Sequence, residues 1–150
     1  MLNNIKKRQS GFTIIEVMIV LAIAGLIMLI VFLAVPALQR NSRNTQRKNE
    51  VSAILGAVNE WSNNNNGALP PAASQAAALS NAKLNFYTGN VTWAAGAQIA
   101  LPVASIDKAV IVTGAACGAS GATIAGSGRQ LAVQYVVETG GVAQPSCTDS

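Results

Sequence analysis

A run of 24 residues, Phe12 to Val35, holds a single charged side chain, Glu16. As a helix rising 1.5 Å per residue it is about 36 Å long, enough to cross a hydrocarbon core about 30 Å thick. The basic trio Lys6-Lys7-Arg8 precedes it and Pro36 follows it. A carboxylate at mid-bilayer costs about 2.5–3.5 kcal/mol on insertion scales, which makes it a functional candidate by default. Near the end of the span, where Glu16 stands, the cost is lower, but the carboxylate still calls for a positive partner.

Read from the residues alone, the segment admits three accounts. It is a signal anchor with an incidental Glu, a secretory signal peptide, or an anchor processed just before Phe12 so that a new ammonium group lies close to Glu16. A signal peptide has its basic region in Lys6-Lys7-Arg8 and a small-residue cut site in Ala22-Ile23-Ala24. Against it, the apolar run continues for eleven residues past Ala24, and Glu16 lies inside the hydrophobic stretch. The third account has a family behind it. Gly11-Phe12-Thr13-Ile14-Ile15-Glu16, after a short basic leader and before a long apolar run, resembles the N-terminus of type IV pilins and their pseudopilin relatives. Isoleucine stands where leucine is commoner. The resemblance covers about a fifth of the chain, and it implies that a prepilin peptidase cuts after Gly11 and N-methylates Phe12. It further implies that Glu16 pairs with the Phe12 amine of a neighbouring copy during assembly. An assembly ATPase and platform protein would drive polymerisation, and the pilus would serve adhesion, motility or DNA uptake.

Composition narrows the rest. Ten basic residues face six acidic ones in 150, but removing residues 1–11 takes three basic residues and leaves seven against six. The positive balance is therefore mostly a leader effect and no argument for nucleic acid, which has no other support in the sequence. There is no histidine, so the commonest general base and metal ligand are missing. The acids at 16, 50, 60, 107, 138 and 149 form no calcium-loop pattern, and there is no phosphate loop or nucleophile elbow. We expect no enzyme and no cofactor.

Cys117 and Cys147 are the only cysteines. In an exported chain two cysteines most simply form one disulfide, the alternative being two buried thiols. A two-cysteine metal site lacks the partners that histidine would supply. The pilin resemblance favours the bond, because that family commonly staples a C-terminal loop. Basic residues lie on both sides of the span, Lys6, Lys7 and Arg8 before it and Arg40, Arg43, Arg47 and Lys48 after it, so charge does not set topology. The cysteines and the resemblance both place the C-terminal part outside.

Periodicity organises the remainder. Val51, Ile54, Leu55, Val58 and Trp61 form one stripe of an amphipathic helix. Arg40, Arg43 and Arg47 form a second stripe, read as a solvated or subunit-pairing face, with Glu50 three residues beyond Arg47 and able to pair with it. One helix is thus expected from about Phe12 to Ser62, with kinks at Pro36 and, less, at Gly25. Many pilins have their first proline earlier, where Leu33 stands here. Asn63 to Gly67 stops the helix, and a short helix is expected at 73–81. Phe86, Tyr87 and Trp93 read as core anchors, and Asn90-Val91-Thr92 is a glycosylation sequon. Strands are expected at 109–113 and 131–137, the latter half-buried, with weaker ones at 122–125 and at 98–103, where Pro102 confines the strand to an edge.

These expectations sum to an α+β chain, a long helix packed on a small antiparallel sheet, which is the shape of the pilin fold. Its segments are a leader at 1–11, a transmembrane or filament-core helix at 12–36 and an amphipathic continuation at 37–62. A connecting region at 63–108 and a sheet with a disulfide-closed loop at 109–150 follow. The expected partners are the membrane lipid, the peptidase, the assembly machine and further copies of the same chain. Alternatives are a secretion or competence pseudopilin, a minor-pilin adhesin or DNA-binding module, and a simple signal-anchored protein. Major pseudopilins typically bind calcium through C-terminal acids, where this chain offers only Glu138 and Asp149.

Overall fold

The computed structural model describes residues 11–96 and 105–150, so the basic leader and the expected strand at 98–103 lie outside the described residues. The chain divides into a unit ending at Gln39 and a unit spanning Arg40–Ser150. Helix α1, Ile14–Asn64, contributes to both. In the first unit its side chains are open all round: Leu21 is 66% exposed, Ile27 55% and Phe32 75%. So many β-branched residues would form a poor helix in water. In lipid the backbone has no other hydrogen-bond partner, so a helix is the stable form. The segment is long and apolar enough to cross a membrane.

In the second unit α1 becomes one-sided. Arg47, Glu50, Val51, Ile54, Leu55, Ala57 and Val58 are buried, at the spacing of one helical face. The helix ends two residues beyond the expected Ser62. The Gly67 N–H bonds the Ser62 carbonyl at 2.8 Å, and Asn66 and Gly67 take positive φ values of 57° and 78°. That left-handed pair closes the last turn, which is why Asn and Gly stand there. A 3-10 turn at Ala72–Ser74 then runs into a one-turn helix α2, Gln75–Ala78, inside the expected helical segment.

Six strands follow: β1 (Val91–Ala95), β2 (Ala109–Thr113), β3 (Ala115–Cys117), β4 (Thr123–Ala125), β5 (Leu131–Thr139) and β6 (Val142–Asp149). The main sheet has the order β1-β2-β5-β6. It is mixed rather than antiparallel, because β1 pairs parallel to β2 in the register Val91 with Ala109. Residues 96–108 between them are long enough for the crossover a parallel pair requires. Strands β5 and β6 form a two-residue hairpin in which Gly140 and Gly141 both have positive φ, as a turn matched to strand twist demands. A second, two-stranded sheet joins β3 to β4.

The main sheet is covered on both faces. On one, Ile111, Leu131, Val133 and Tyr135 pack with Val51, Ile54, Leu55 and Val58 of α1, and Tyr87 is fully buried among them. Each large aliphatic side chain buried there contributes roughly 1.5–3 kcal/mol of transfer free energy. On the other, Val110, Val112, Ala132 and Val136 pack with Ala115 of β3, and Cys117 and Cys147 lie against them. Strand β5 is therefore buried on both faces from Leu131 to Val136, not half-buried as its alternation suggests. The second cover comes from β3, which the Gly/Ala/Ser composition of its neighbourhood hides. The disulfide joins Cys117 of β3 to Cys147 of β6, with Cα atoms 5.7 Å apart, and so ties this second layer to the main sheet.

Candidate functional site

Glu16 is held by the first turn of its own helix. Gly11, Phe12 and Thr13 are non-helical, and α1 begins at Ile14. The Thr13 N–H donates to Glu16 Oε2 at 2.8 Å and the Thr13 hydroxyl donates to the same oxygen at 2.7 Å. In return the Glu16 N–H donates to Thr13 Oγ1 at 3.3 Å. This reciprocal arrangement is a capping box, in which an N-cap Thr and a Glu three positions on satisfy each other's orphaned donors. Its Thr-x-x-Glu spacing was legible in Thr13-Ile14-Ile15-Glu16, although Glu16 draws attention first as a charge without a partner.

The cap leaves one oxygen open. Among the described residues no donor lies on Glu16 Oε1, because both Thr13 bonds fall on Oε2. A shallow recess of about 320 Å³ lies beside the carboxylate, lined by Phe12, Val17, Val20 and Leu21. Phe12 is 90% exposed. At Gly11 an added Cβ would meet nothing within 4 Å among the described residues, so their packing does not demand glycine there.

The second charged constellation is enclosed within the Arg40–Ser150 unit. Arg43 grips the Glu138 carboxylate through Nε at 3.1 Å and Nη2 at 2.7 Å, and Arg47 Nη1 reaches Glu138 Oε1 at 2.9 Å. Asn44 adds two bonds to the Glu138 backbone, donating to its carbonyl at 2.7 Å and accepting from its N–H at 2.8 Å. The Arg47 guanidinium also lies 5.1 Å from the centre of the Phe86 ring. The Arg43 hydrogen bonds, opposed by burial and reinforced by Arg47, pull the Glu138 carboxyl down to about 2.

This corrects the reading of the basic stripe. The partner of Arg47 is Glu138, not Glu50, and Arg47 is only 2% exposed, so it belongs to no solvated face. Glu50 turns to the 84–88 segment and accepts the Phe86 N–H at 2.9 and 3.0 Å and the Tyr87 N–H at 3.2 Å. Those amides need an acceptor because Tyr87 is buried, and Glu50 supplies it. Burial also pushes the Tyr87 phenol above its ordinary range. Asn44 and Glu138 are structural determinants that sequence reasoning missed, since residues 94 positions apart carry no local signal.

The two C-terminal acids considered for calcium both have protein partners. Glu138 is bound by two guanidiniums, and Asp149 Oδ2 accepts the Cys117 N–H at 2.7 Å. Among the described residues no three metal-ligating side chains gather.

Residues 6–32 match the family described as the prokaryotic N-terminal methylation motif. No curated protein and no solved structure matched the chain. The methylation motif thus stands at the head of a long apolar helix, and α1 packed on a mixed sheet gives the chain an α+β architecture consistent with the pilin fold.

Proposed function

We propose that this chain is the structural subunit of a type IV pilus, stored in the membrane and polymerised through the apolar half of α1. The observation that carries the reading is the coincidence of the methylation motif at 6–32 with a helix that leaves its apolar side chains uncovered from Ile14 to Val35. Such a surface needs either lipid or a bundle of identical helices. Because lipid tails are as apolar as leucine, transfer between the two releases little free energy. Extraction therefore draws on outside work, supplied by an assembly ATPase and platform protein.

In this account a prepilin peptidase removes residues 1–11 and methylates Phe12. The new ammonium then meets the Glu16 carboxylate of a neighbouring copy. A subunit entering out of register leaves a carboxylate unpaired in an apolar core, so the pair sets the axial step. The role is structural rather than catalytic. The bonds that occupy Glu138 and Asp149 favour a pilus subunit over a calcium-binding secretion pseudopilin. Engagement of Arg43 and Arg47 by Glu138 likewise weakens the reading of a DNA-binding patch.

Electron microscopy of sheared surface material, with antibody against this chain, tests the proposal. Thin fibres decorated along their length are expected. Fibres bearing the chain only at their tips, or a chain confined to the membrane, would reject it.

A further inference from the structure

The two oxygens of Glu16 are not equivalent, and the difference assigns a task to Thr13. Both Thr13 donors fall on Oε2, from the backbone at 2.8 Å and from the hydroxyl at 2.7 Å. Oε1 carries no donor from the described residues, and an ionised carboxylate accepts at both oxygens. We propose that Thr13 is a positioning residue, holding Glu16 by Oε2 so that Oε1 is presented to the Phe12 ammonium of a second copy. The cap then persists in the filament instead of being exchanged for the intermolecular pair. This inference rests on the pilus-subunit reading above.

Four points of chemistry support it. The backbone donor in the cap belongs to Thr13, not Phe12, so removal of residues 1–11 and methylation of the Phe12 nitrogen leave both cap bonds intact. An N-methylated ammonium still carries N–H donors for Oε1. A carboxylate in lipid with no partner is costly, and the cap together with the positive end of the helix makes it tolerable before a neighbour arrives. A Glu side chain bound at one oxygen also has fewer rotamers left to lose when the second bond forms.

The test measures incorporation into sheared fibres per mature chain, with the mature chain quantified in the membrane by mass spectrometry so that processing is divided out. Three full-length variants are compared, each co-expressed with the unaltered chain. Thr13→Val keeps the branched shape and removes the hydroxyl. It is expected to incorporate about fivefold less, the factor for a lost N-cap of ordinary strength. Thr13→Ser restores the hydroxyl and should recover most of the incorporation. Glu16→Ala should abolish it. If Thr13→Val incorporates as well as Thr13→Ser, or both fall together, the positioning role is refuted while the Glu16 pairing stands. Normal incorporation of Glu16→Ala would instead remove the pairing reading itself, and the role of Thr13 with it.

Discussion

Replacing Glu138 with glutamine keeps the side-chain shape and removes its charge, leaving two guanidiniums without a carboxylate. The consequences differ for the two arginines. Arg43 has 40% of its side chain exposed and recovers hydration, whereas Arg47 has 3% exposed and does not. Breaking one partner out of a buried pair costs about 3–5 kcal/mol. With Arg43 able to turn to solvent, we expect about 2–4 kcal/mol for Glu138→Gln. A Glu138→Gln/Arg47→Met double variant should recover part of the loss, because it removes the stranded charge along with the pair. The same contact sets a pH dependence. The folded carboxyl titrates near 2 against an ordinary 4.5. Its contribution is therefore present in full above about pH 4.5 and is lost as pH falls toward 2. Allowing for solvent screening, it amounts to about 1–2 kcal/mol. Urea unfolding of the mature chain in detergent micelles, with the disulfide intact, reads both effects. Trp61 and Trp93 are the only tryptophans and both lie in the Arg40–Ser150 unit, so their fluorescence reports on it. A Glu138→Gln chain that unfolds within about 0.5 kcal/mol of the original would show that the clamp on Glu138 does not stabilise the fold, as would a stability loss between pH 5 and 2 that persists undiminished in Glu138→Gln.

Replacing Cys117 and Cys147 together with serine should lower unfolding free energy by about 3–4 kcal/mol on the chain-entropy model, measured in the same urea titration. Glu50→Ala leaves the amides of Phe86 and Tyr87 without their acceptor and should cost about 2–3 kcal/mol, with faster hydrogen exchange at those two positions as the direct readout. Gly121→Ala places a Cβ about 2.7 Å from the Pro145 backbone at a φ of +78°. It should destabilise by about 1–3 kcal/mol, with amide shifts in β6 by NMR.

The parts of the fold that sequence reveals are those whose signal is local and repeated. The stripe from Val51 to Trp61 repeats over three turns, and the alternation from Leu131 to Val137 spans a long strand, so α1 and β5 were readable. Strand β6 was not, because Val142-Ala-Gln-Pro-Ser-Cys-Thr-Asp has no alternating apolar face. It is an edge strand, where Pro145 costs no ladder bond inside the sheet. Strand β3 consists of Ala115, Ala116 and Cys117, too small to register as β-formers, yet Ala115 is fully buried. Strand β1 passed for a cluster of aromatic anchors, and Trp93 does pack against the core, but a parallel partner 18 residues away leaves no turn signal. At the candidate site Gly11, Phe12 and Glu16 stand out because leader, junction and apolar run adjoin in sequence. The cap on Glu16 was equally local. The clamp on Glu138 depends on the fold bringing β5 to α1, and nothing short of the fold announces it.

The claim at the centre is that the chain becomes a filament subunit only when its N-terminus is remade at Phe12. Mass spectrometry of sheared surface fibres measures this directly. The account predicts that the chain is their principal protein and that it begins at Phe12 carrying one added methyl group. Fibres in which the chain begins at Met1 or at Gly25, or an unmethylated Phe12 in assembled material, would contradict it.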